Sequence, residues 1–177
     1  QMVEYADWAI GHFISLAGKQ DWFENTLFVF VADHGYVKPG SKYEMPLSYH
    51  HTPMILYCPA QIPPQKDSCL ALQIDIAPTV LSMLFEDYRN NTLGVDLQRV
   101  VRQYAYFSAD DKLGVLDDEY FYINEGSDKE KLYRLADNEK RNLIGIHSSK
   151  AREMRTYAFS MLQKSSDMLK DGTTSCK

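Results

Sequence analysis

Apolar residues open the chain at helical spacing. Val3, Ala6, Ile10, Phe13, Ile14 and Ala17 recur at steps of three and four, which predicts a helix lying on a core, closed by Gly18 and Asp21. The pattern then changes. Leu27 to Ala32 is an unbroken apolar run of strand length, as expected for a strand covered on both faces of a parallel sheet. Residues 37–51 are polar, carry Pro39, Gly40 and Pro46, and have no period, so they predict a long loop leaving the strand's C-terminal end. A second buried strand spans Pro53 to Cys58 and stops at Pro59. Asp75 stands where it would cap a helix with Pro78 in its first turn and Ile76, Val80, Leu81 and Leu84 on the inner face.

Beyond about residue 100 the texture shifts to short aromatic strands, 103–108, 119–124 and 131–135, separated by turns rich in Asp and Gly. These predict an antiparallel unit. A last helix over about 149–169 places Ala151, Met154, Ala158, Met161, Leu162 and Leu169 on one face. The expected organisation is an α/β portion over 1–100, a small antiparallel subdomain over 101–148, and a helix with tail over 149–177.

Composition narrows the class. The 177 residues are 45% hydrophobic and 24% charged, ordinary globular usage that argues against disorder or a disulfide scaffold. A net charge of −5 and a pI near 5.5 argue against a broad nucleic-acid surface. No run nears the roughly 20 apolar residues that a bilayer span needs. The chain opens on Gln1 with neither a start methionine nor a leader pattern, so it reads as a fragment whose upstream part, with any signal or anchor, has been removed. Cys58, Cys69 and Cys176 match no zinc spacing; idle thiols are the default, and a Cys58–Cys69 bridge stays open.

Candidate chemistry gathers at the end of the first strand. Asp33-His34-Gly35 stands where open α/β sheets place their ligands. A carboxylate and an imidazole suit a divalent metal, and Gly35 frees the chain to turn. A capping Asp beside a solvent-facing His is the alternative, which the strand-end position disfavours. His50-His51 precedes the second strand, and adjacent residues point to opposite sides of an extended chain, so at most one of the two faces the site; His51, next to the strand, is favoured over His50, and a loop pair with no shared role is the alternative. Lys38, Lys42, Tyr43 and Tyr49 could meet an anion, although a polar loop carries such residues in any case. His12 and His147 receive no role.

The order of motifs resembles the C-terminal part of the sulfatase and alkaline phosphatase superfamily, especially its lipoteichoic acid synthase-like branch. Four segments carry the likeness: Asn25 to Gly35, Gln73 to Leu81, Thr92 to Leu97, and Leu132 to Leu135 followed by Asp137, Glu139, Asn142 and Leu143. The resemblance implies an α/β/α sandwich portion with a mainly parallel sheet, then a small antiparallel subdomain and a C-terminal helix. It also implies metal-dependent attack on a sulfate or phosphate ester, with Asp33 and His34 as metal ligands and His51 facing the substrate. Manganese or magnesium is the favoured ion, with calcium and zinc also compatible. The family's hydroxyl or modified-cysteine nucleophile lies well upstream of the Asp-His-Gly motif, and nothing in residues 1–32 matches it, so no catalytic residue is assigned and the fragment alone is expected to be inactive. The substrate would be an anionic ester, lipid or glycan included, and the parent a membrane-anchored protein with its domain in the periplasm or at the cell surface. The competing expectation is a non-catalytic module that keeps the fold and binds a glycan or a protein.

Overall fold

The computed structural model describes residues 2–85, 87–126, 129–137 and 139–173; Gln1 and Cys176 lie outside them. The chain divides into two compact units, one of residues 1–38 with 48–67 and the other of 39–47 with 68–177.

The first unit contains helix α1 (Met2–Ala17), a 3-10 turn at Phe23–Asn25, and strands β1 (Phe28–Val31) and β2 (Met54–Tyr57). The strands pair antiparallel, from Phe28 opposite Tyr57 to Val31 opposite Met54. The expected parallel direction is therefore corrected for this pair. An unbroken apolar run reports what a strand touches and not which way its neighbour runs. The connection, which holds the four-residue helix α2 (Leu47–His50), returns to the end at which β1 stops, so β2 runs back along β1. Neither strand is covered on both faces, since Val31 and Ile55 remain exposed.

Helix α1 forms where its periodicity places it, yet Val3, Ile10 and Phe13 are exposed and only Ala17 is buried. Sixteen residues of helix run about 24 Å, while two strands stand about 5 Å apart, so the pair covers only one end. There the Phe13 ring meets Phe28 edge-on at 6.0 Å, and Phe23 and Tyr57 complete an aromatic cluster around Phe28. Cys58 is a buried free thiol, so no Cys58–Cys69 bridge forms, and Cys69 is exposed.

The second unit is built on a four-stranded antiparallel meander of β3 (Ala105–Ala109), β4 (Lys112–Leu116), β5 (Tyr120–Asn124) and β6 (Glu130–Arg134), with helix α4 (Ser148–Lys170) behind it. The mixed α/β class, the small antiparallel sheet and the C-terminal helix thus agree with expectation. Strand β4 was not anticipated. The two-residue turn before it, Asp110-Asp111, holds both residues at positive φ (49° and 60°), the conformation that a tight hairpin demands and that Asn-Gly usually signals.

Side chains of β5 alternate between two cores. Tyr120 and Tyr122 join Leu113, Val115, Leu132 and the Ala151, Met154 and Ala158 face of α4. Phe121 and Ile123 face the other way, onto Met45 and Tyr133 with Tyr43 and Leu47 around them. Residues 43–47, anticipated as polar loop, therefore act as a lid on the sheet. Gly114 permits the approach, because a Cβ there would stand 3.0 Å from the Phe107 ring and 3.2 Å from Met45 Sδ.

Polar groups fix the same lid. The Glu44 carboxylate accepts from Lys131 at 2.8 Å, from the Tyr133 hydroxyl at 3.1 Å, and pairs with Lys140. Burial draws the carboxyl upward, but the two ammonium groups prevail and hold it at about 2 against an ordinary 4.5. Helix α3 (Ile76–Leu84) is tied down by a different pair. Asp75 occupies its N-cap position without capping it, because the fully buried carboxylate accepts from the backbone of Leu72 and Val95, each at 2.8 Å, and from Arg102 in a two-pronged pair. A buried carboxylate needs a cation more than a helix end needs a cap.

Candidate metal and ester site

Register places the site. Val31 and Met54 pair at the close of β1 and the start of β2, so Asp33-His34-Gly35 and Tyr49-His50-His51 emerge at one end of the strand pair. Gly35 joins them. Its N–H donates to the Tyr49 carbonyl at 2.7 Å. A Cβ at this position would lie 2.1 Å from the Ser48 carbonyl and 2.9 Å from that of His51, so only glycine fits. The Lys38 N–H donates to Ser48 Oγ at 3.2 Å, a further tie between the two segments.

Asp33 and His34 point outward, with side chains 89% and 53% exposed. The His34 N–H donates to Asp33 Oδ1 at 2.8 Å, turning the carboxylate back toward the imidazole. The ring's Nδ1 lies 2.9 Å from the Gly35 carbonyl. A carbonyl only accepts, so Nδ1 carries the proton and Nε2 is the nitrogen left to ligate. That nitrogen stands 3.7 Å from Asp33 Oδ2. Two ligands on one cation, at bond lengths of about 2.0–2.4 Å and about 90–120° apart, are separated by about 3–4 Å. The pair therefore fits a divalent ion as two members of a larger ligand set. Among the described residues no group of three or more His, Cys, Asp or Glu is arranged to hold a metal.

The two adjacent histidines differ. His50, in α2, is half-buried and its ring meets Tyr49 edge-on at 5.3 Å; burial lowers its pKa, favouring the neutral imidazole. His51 is exposed and adjoins the motif through its backbone carbonyl. Tyr49, expected in a polar loop where it could meet an anion, stacks its ring on His34 with centroids 4.6 Å apart at 23°. An aromatic directly before a His pair was the available signal. Lys42 and Tyr43 belong to the second unit, where Lys42 donates to the Asp137 carbonyl and Tyr43 packs on Phe121 and Tyr133.

The family model named Sulfatase matches residues 1–85, the stretch containing both strands, the Asp-His-Gly motif and α3. A crystal structure of a protein in the alkaline phosphatase superfamily from Vibrio parahaemolyticus superposes over 99% of this chain with a TM-score of 0.80 at 24% identity. The chain shares the fold of the matching part of that structure. A second structure, BT4656 in complex with its substrate D-glucosamine-2-N,6-O-disulfate, covers 96% of the chain with a TM-score of 0.62 at 20% identity. The chain spans about two fifths of each, 42% and 40%. Among the described residues no helix is long and apolar enough to cross a membrane.

Proposed function

We propose that this chain supplies the Asp-His half of the metal centre in a sulfatase-like hydrolase or phosphoglycerol-type transferase acting on sulfate or phosphate esters. The observation that carries the proposal is the 3.7 Å pairing of His34 Nε2 with Asp33 Oδ2 at a strand end, with Nδ1 committed to the Gly35 carbonyl. Asp33 contributes a full negative charge and His34 a neutral lone pair, a donor set suited to manganese or magnesium and compatible with calcium or zinc. When bound, such an ion lowers the pKa of a hydroxyl nucleophile and offsets charge on the transferred group. Gly35 holds the Asp-His turn against the Tyr49 segment, and His51 offers an exposed imidazole to the anionic ester. The nucleophile comes from outside residues 1–177, so the chain alone turns over no ester.

The sulfated sugar bound by BT4656 supports an anionic sugar ester as substrate, and we place the parent in the lipoteichoic acid synthase-like branch, membrane-anchored with this domain outside the cytoplasm. Release of 4-nitrophenol from its sulfate and phosphate esters, with and without Mn2+, tests the proposal. We expect no turnover by the chain, and turnover abolished by Asp33→Ala would overturn the placement of the nucleophile. The second reading, a non-catalytic glycan- or protein-binding module, is favoured by the two-ligand donor set and predicts that Asp33→Ala and His34→Ala leave Mn2+ affinity unchanged.

A further inference from the structure

We propose that Tyr49 is the positioning residue for His34, holding its imidazole so that Nε2 stays beside the Asp33 carboxylate. The proposal rests on the assignment of Asp33 and His34 as ligands and adds to it a residue that touches neither the ion nor the ester.

An exposed histidine on a turn samples several rotamers, and each one sampled carries Nε2 away from its neighbouring donor. Two restraints act on His34. The Gly35 carbonyl takes Nδ1 at 2.9 Å and fixes the edge of the ring. The Tyr49 ring takes one face, with centroids 4.6 Å apart and planes 23° from parallel. A hydrogen bond alone leaves the imidazole free to pivot about it, and the stack removes that freedom.

Tyr49 is itself held. Its carbonyl accepts the Gly35 N–H at 2.7 Å, so the residue that stacks on His34 is also bonded to the residue after it. The approach that permits both contacts is the one that excludes a Cβ at position 35. The Tyr49 ring also meets half-buried His50 at 88° and 5.3 Å. Partners that orient a ligating histidine commonly change metal affinity by about 10–100-fold when removed.

The test uses the whole chain with 13C-labelled histidine and two variants that keep apolar bulk at position 49. Tyr49→Phe preserves the ring face, and Tyr49→Leu removes it. In metal-free protein the His34 ring protons lie in the shielding cone of Tyr49; we expect them to move downfield in Tyr49→Leu and to stay in Tyr49→Phe. Titration with Mn2+ alone, followed by paramagnetic broadening, should be about tenfold weaker for Tyr49→Leu and within about twofold of the parent for Tyr49→Phe. Unmoved His34 resonances in Tyr49→Leu overturn the proposal, as does Tyr49→Phe binding as weakly as Tyr49→Leu. Mn2+ binding that survives both Asp33→Ala and His34→Gln overturns the ligand assignment instead, a result separate from the metal-free resonances.

Discussion

The four-stranded sheet of the second unit and the strand pair of the first differ in what covers them. Strand β5 is buried on both faces, between α4 and the lid of residues 43–47. Strands β1 and β2 leave Val31 43% and Ile55 55% exposed, and the Asp33 side chain just after β1 is 89% exposed. The contrast separates two tasks. Burial of apolar side chains stabilises the second unit at about 25 cal/mol for each Å² removed from water. On the proposed function the Asp33 carboxylate and His34 Nε2 must stay within reach of ions and substrate, which suits a place where little stability is invested.

Substitutions can break that contrast, and the largest effects belong to the second unit. Phe121→Ala and Arg102→Ala should each cost about 3–5 kcal/mol, the first by opening a cavity and the second by stranding the buried Asp75 carboxylate. Loss of amide-exchange protection in β4–β6 would record the Phe121→Ala effect, and a shifted thermal transition the Arg102→Ala effect. Met45→Ala follows at about 2–4 kcal/mol. An effect below about 0.5 kcal/mol would show that the lid does not cover the sheet.

Glu44→Gln should cost about 1–2 kcal/mol at pH 7. Its carboxyl is held at about 2 against an ordinary 4.5, so the stability it contributes is present above pH 4.5 and is lost as pH falls toward 2. An acid titration of unfolding should therefore be shallower over that window in Glu44→Gln than in the parent. Equal slopes would remove Lys131 and Lys140 as the cause. The smallest effects are expected in the first unit, where Ile55→Ser and Asp33→Ala should each change thermal stability by under about 0.5 kcal/mol. A loss of several kcal/mol at Asp33 would assign it a structural role and end the contrast.

Periodicity carried most of the fold. Helices α1, α3 and α4 are present near their expected bounds because a 3.6-residue apolar stripe has few other uses. Strand β4 escaped notice because Lys-Leu-Gly-Val-Leu is short and glycine-interrupted, and because Asp-Asp is an uncommon hairpin turn. The antiparallel β1–β2 pairing was hidden for another reason: direction is set by the path of the connecting chain, which apolar pattern does not encode.

Within the candidate site, the strand-end position of Asp33 and His34 was legible in the sequence. The Tyr49 stack on His34 was not, since it depends on Gly35 drawing two segments within hydrogen-bonding distance. The lid at Met45 was obscured in the same way. One Met between Glu44 and Pro46 shows no periodicity, and its burial follows from a glycine seventy residues away that leaves room for its sulfur.

The central claim is that Asp33 and His34 bind one divalent cation. Isothermal titration of Mn2+ into the parent chain, Asp33→Ala, His34→Ala and the control Glu44→Gln in the second unit tests it most directly. Weak binding by the parent and by Glu44→Gln, lost in both site variants, is the predicted result. Equal affinity in all four proteins would contradict it.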